Sequence, residues 1–127
     1  MSSGLTTIVL GDGTRLAIAD RASARLAGLA GMRALPPRTG LLLSDCRSVH
    51  TFGMRFSLDL IWLAADGAIV DVTASVPPRR IVTRAHARAV VECRAGMGAA
   101  FFTALARAPR GAIPTTRRAA RAARSAR

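Results

Sequence analysis

The chain contains no Lys, Asn, Gln or Tyr, one Glu, one Trp and two Cys among 127 residues. Losing Lys, Asn and Tyr while gaining Ala, Arg and Gly is the pattern that GC pressure on codons produces, so part of the Arg excess is compositional rather than a binding signature. Aromatic residues are few, so Leu, Val, Ile and Ala must fill the core, with Phe52, Phe56, Trp62, Phe101 and Phe102 expected as its anchors. Two cysteines, Cys46 and Cys93, permit one disulfide at most and are read as thiols. No apolar run exceeds Leu60 to Ala65, well short of a bilayer span, and the N-terminal segment lacks the basic start of an export signal. A cytoplasmic location is the expectation.

What is present suits one domain. A chain of this length buries roughly two-thirds of its unfolded surface without staples, and half of its residues are hydrophobic. The net charge of +12 is unevenly placed. All seven acids lie in residues 1–106, which carry +5, whereas residues 107–127 hold seven Arg and no acid. Residues 1–106 are therefore expected to form the globular domain, and 107–127 an Arg/Ala-rich tail, helical or disordered.

Local signals describe short strands with little helix. Gly11, Asp12 and Gly13 separate Leu5–Leu10 from Thr14–Ala19 as a hairpin turn would, and Asp66 with Gly67 does the same between Leu58–Ala64 and Ala68–Val76. Further strands are predicted over Leu41–Leu43, Val49–Phe52 and Ala87–Cys93, with Arg79, Arg80 and Arg84 in a loop before the last. Asp20 is placed to cap a helix reaching about Ala30, stopped by Pro36 and Pro37. Met97, Phe101, Ala104 and Leu105 fit one face of a second helix. The expected fold is α+β and mainly antiparallel β: a compact sheet or barrel-like core, one or two short helices and a basic tail.

The stretch Val49–Leu63, VHTFGMRFSLDLIWL, sets His50, Arg55 and Asp59 into a run suited to a buried strand. Buried charges need partners or a function. Arg55 and Asp59, four apart, are predicted to meet as a bidentate pair if Phe56 and Ser57 bend, with Glu92 joining from a neighbouring strand. Such a cluster either holds a small anion or ties strands together. Cys46 lies four residues before His50 and beside Arg47, which leaves a thiol mechanism open. Zinc binding by Cys46, His50, Cys93 and Glu92 lacks the close Cys pair of structural sites, so no metal or cofactor is expected. Gly28 and Gly31 belong to no strand–loop–helix phosphate motif, and no Ser has a nucleophile-elbow context.

Three blocks together resemble the family catalogued as domain of unknown function 192. They are RLAGLAGMRALPPRTGLLL (Arg25–Leu43), HTFGMRFSLDLIWLAADGAIVDV (His50–Val72) and ARAVVECRAG (Ala87–Gly96). The most specific part is the pattern Phe52, Met54, Arg55, Leu58, Asp59 and Gly67; Ser57 stands where relatives carry Pro. The resemblance implies a compact, mainly β domain and brings no activity, substrate or cofactor with it.

The remaining feature is the tail. Arg117, Arg118, Arg121 and Arg124 would stripe one side of a helix starting near Thr115 or Thr116. That side suits phosphates or an anionic surface but lacks aromatics to stack on bases. The expected function is a non-catalytic binding or accessory domain whose His50, Arg55, Asp59 and Glu92 hold a small anionic ligand or support a protein partner. The alternatives are a small hydrolase-like enzyme using His50 with Asp59, Glu92 or Cys46, and a nucleic-acid or anionic-surface binder acting through the tail.

Overall fold

The computed structural model describes residues 6–19 and 36–126. The capped helix expected from Asp20, and most of the first family-like block, lie outside the described residues. Within them, eight strands and two helices follow in order: β1 (Thr7–Val9), β2 (Arg15–Ala19), β3 (Thr39–Ser44), β4 (Ser48–His50), β5 (Leu58–Leu63), β6 (Ile69–Val76), β7 (Ile81–Thr83), β8 (Ala89–Arg94), α1 (Gly98–Arg107) and α2 (Arg117–Ser125).

Six strands form one sheet in the order β1-β2-β3-β8-β5-β6, and β4 with β7 make a separate two-stranded ribbon. All ladders are antiparallel except β2 with β3. The fold class is therefore α+β. The barrel-like alternative is corrected: β1 and β6 end the sheet as edges rather than pairing with each other. Both hairpin turns form as the sequence predicts, β1 pairing with β2 and β5 with β6.

The sheet is covered on both faces, which explains why β5 and β8, apart from Asp59 and Glu92, read as apolar runs rather than alternating ones. On one face Ile18, Leu42, Ile61, Leu63, Val91 and Cys93 pack beneath Phe101, Ala104 and Leu105 of α1, with Ile113 and Ala120 from the tail. On the other, Leu41, Leu43, Leu58, Leu60, Trp62 and Val90 pack beneath Val49, Met54, Phe56 and Val82. Trp62 and Phe101 are anchors as expected, but Phe52 and Phe102 are about half exposed. β7 occupies part of the segment that composition marks as a basic loop; a three-residue strand, Ile-Val-Thr between arginines, is too short to show a period.

The tail is an integral part of this packing. Ser44 Oγ donates to the Pro114 carbonyl, the Asp45 amide to the Thr115 carbonyl, and Thr115 Oγ1 to the Ala65 carbonyl. Ile113, Thr115 and Ala120 are buried. α2 starts where its capping signal lies, Thr116 Oγ1 accepting from the Ala119 amide at 3.0 Å. A segment whose composition suggests a solvated appendage thus contributes side chains to the main core.

Candidate functional site

The ordering of the Asp59 carboxylate differs from the Arg55 pairing that the sequence suggests. Asp59 is buried near the start of β5 and faces the α1 side of the sheet. Its Oδ1 accepts from the Ser75 amide at 2.8 Å, and its Oδ2 accepts from the Gly96 and Gly98 amides at 2.9 and 2.8 Å. Gly98 opens α1, so the charge also rests at the positive end of that helix. Ser75, at φ 54°, is in a bulge where β6 carries one residue more than β5 between Leu58/Val76 and Leu60/Thr73. Asp59 therefore joins β5, the β6 bulge, the turn after β8 and the start of α1.

Arg55 is exposed on the loop between β4 and β5. Among the described residues the ion pairs are Arg84–Asp71 and Arg88–Asp45, and the expected Arg55–Asp59 pair is not formed. The physical reason is that three backbone donors already saturate the carboxylate without burying a guanidinium.

Glu92 does not join Asp59 either. Register decides this: Asp59 pairs with Cys93, whereas Glu92 pairs with Leu60 and Leu41. Side chains on successive residues of a strand alternate faces, so Glu92 is buried on the ribbon side and Asp59 on the α1 side. The cysteines are divided in the same way, Cys93 in the α1-side core and Cys46 against the ribbon-side core. Neither forms a disulfide. Burial, with Asp59 and Glu92 adding like charge, pushes the Cys93 thiol up to about 12. Cys46 Sγ donates to the Ser48 carbonyl at 3.2 Å. Among the described residues no group of three His, Cys, Asp or Glu side chains is placed to hold a metal.

His50 is half-buried on the ribbon. Alternation along β4 buries Val49 and leaves His50 part-exposed, opposite Ile81 of β7. Its ring lies 6.1 Å from that of Phe52, and its buried Nδ1 has no hydrogen-bond partner among the described residues. Phe52 is 49% and Ile81 67% exposed. This surface is held firmly from below by Thr51. The Thr51 amide donates to the Arg80 carbonyl, its Oγ1 donates to the Pro77 carbonyl and accepts from the Arg80 amide, and its carbonyl accepts from the Met54 and Arg79 amides. Arg55, Arg79 and Arg80 are exposed on the loops that carry the patch. No carboxylate occurs in residues 50–58 or 76–86. Sequence reading singled out His50 and Arg55 but missed Ile81, because only the β4–β7 register brings it beside His50.

The tail arginines divide by depth. Arg117, Arg118 and Arg121 are exposed, whereas Arg124 is half-buried beside the inward Ala120 and Ala123. Among the described residues no helix is long and apolar enough to cross a membrane.

The model of the family DUF192, described as uncharacterized ACR, matches residues 7–103. No curated protein matches. A provisionally designated transcription regulator from Sinorhizobium meliloti 1021 has a similar solved structure, with a TM-score of 0.59 at 23% identity over 75% of this chain and 82% of that one. A protein of unknown function from Novosphingobium aromaticivorans DSM 12444 also has a TM-score of 0.59, at 20% identity over 82% of this chain and 79% of that one. At such identities the likeness is one of fold.

Proposed function

We propose that this chain, which belongs to the DUF192 family, is a non-catalytic binding module that captures an acidic protein segment on its β4–β7 ribbon. The observation that carries this reading is the pinned surface of His50, Phe52 and Ile81, bordered by Arg55, Arg79 and Arg80. Half-exposed aromatic and aliphatic groups on a backbone fixed by Thr51 need little ordering on binding, which favours affinity. The surrounding guanidiniums complement carboxylates and disfavour basic partners. The other candidates for chemistry are dispersed: Asp59 is committed to three amides, and Glu92 and Cys93 lie on opposite faces of the sheet.

The test is titration of the labelled protein with a peptide alternating Glu and Leu, followed by amide chemical shifts. Shifts gathered at Phe52, Arg79, Arg80 and Ile81, and abolished in Phe52→Ser and Arg80→Ser proteins of unchanged melting temperature, are expected. Absence of binding, or shifts centred on another surface, would overturn the reading.

A further inference from the structure

We infer that the docked tail and the β3–β4 turn together form a composite site for the phosphate backbone of a nucleic acid. The inference stands on a different surface from the ribbon. Asp45, in the left-handed region at φ 49° just after β3, is its organising residue. Its Oδ1 accepts from Arg88 Nε and its Oδ2 from the Arg117 amide, both at 2.6 Å. One carboxylate thus draws Arg88, just before β8, and the first turn of α2 to the same turn. Arg47, two residues further, donates from Nε to the Ala87 carbonyl at 3.0 Å, which places it beside Arg88. Asp45, Arg47 and Arg88 line an open cleft of about 420 Å³.

Three segments distant in sequence therefore bring Arg47, Arg88 and Arg117 to one acid, and Arg118 and Arg121 continue the basic surface along the exposed side of α2. Asp45 offsets one charge and leaves a local excess of four. Arg117 and Arg121 are one helical turn apart, about 6 Å along the axis, so α2 extends the cleft as a basic ridge. The exposed side of α2 otherwise offers Ala122 and Ser125, with no large apolar group to enter lipid. A nucleic-acid duplex read by its phosphate charge rather than by base contacts is the ligand that suits this surface.

Removing the tail is a poor test, since it would strip Ile113, Thr115 and Ala120 from the core. The experiment is fluorescence anisotropy of the full chain with a labelled sixteen-base-pair duplex across a salt series. Four or five phosphate contacts give a slope of log affinity on log salt of about −4, each contact contributing about 0.9. Arg47→Gln with Arg88→Gln, and separately Arg118→Gln with Arg121→Gln, should each reduce that slope by about two. Arg79→Gln with Arg80→Gln on the ribbon should leave it unchanged, so failure here is distinct from failure of the ribbon reading. If the Arg47/Arg88 pair melts early, Arg47→Gln alone should lower the slope by about one. Loss confined to the α2 pair, equal loss from the ribbon pair, or binding of phosphatidylserine vesicles without binding of the duplex would overturn the proposal.

Discussion

The Oδ2 atom of Asp59 lies 2.8 Å from the amide of Gly98, so a carboxylate from the middle of the sheet caps the first turn of α1 across 39 residues of chain. Met97, at the N-cap position itself, supplies no side-chain oxygen, and no acid stands in the first turn of α1. Asp59 is the substitute, a buried side chain whose oxygens accept the amides that the N-cap residue leaves unpaired.

Asp59→Ala should therefore destabilise the protein severely. It strands the Ser75, Gly96 and Gly98 amides, and each buried donor left without an acceptor costs about 1 to 3 kcal/mol. Denaturant unfolding should show a loss of at least about 3 kcal/mol, while Arg55→Ala stays within about 0.5 kcal/mol of the parent. Similar losses from the two would revive an Arg55–Asp59 pair.

Gly98→Ala should destabilise too, against the helix propensity scale. Ala is favoured over Gly by about 1 kcal/mol inside a helix. Here a Cβ would lie 2.7 Å from Asp59 Oδ2 and 3.1 Å from its Cβ and Cγ, so the carboxylate or the helix must move. A net loss of about 1 to 3 kcal/mol in the melting analysis is expected. A stabilised Gly98→Ala protein would mean the junction yields freely.

The Asp45 junction should give a pH-dependent contribution. The Arg117 amide, and then Arg88, hold the Asp45 carboxyl below its ordinary value. A group depressed in the folded state adds stability that is fully present above its unfolded pKa of about 3.9 and is lost as pH falls through the folded pKa. Asp45→Asn should cost about 1 kcal/mol at pH 7, and the difference from the parent should narrow below about pH 4. A pH-independent difference would assign the loss to shape rather than charge.

The cysteines should react differently. With its thiol raised to about 12 and its side chain fully buried, Cys93 stays protonated and shielded at neutral pH. Iodoacetamide on the native protein should add one carbamidomethyl group, on Cys46, and a second only after denaturation. Native labelling of Cys93 would indicate frequent opening of the α1-side core.

Much of the architecture was legible from local chemistry. Gly13 and Gly67 turn at positive φ where the sequence places its hairpins, and Met97, Phe101, Ala104 and Leu105 hold α1 to the sheet as their spacing implies. The candidate site was less legible, because a four-residue separation looks favourable for Arg55 and Asp59 whichever way each side chain turns. Glu92 illustrates the same limit. It resembles a partner for Asp59 until register places the two on opposite faces. How the tail docks was not legible in composition, since Ile113, Ala120 and Ala123 are scattered singly among arginines.

By itself the sequence determined most of the short strands, their glycine turns, helix α1 and the family, because each depends on neighbours within a few residues or on a pattern spread along the chain. Tertiary structure alone decided who partners Asp59, that His50 meets Ile81 and Phe52, and that Asp45 gathers arginines from three segments. Those outcomes depend on strand register and on amides far apart in the chain, and a backbone donor has no residue identity by which a sequence could announce it.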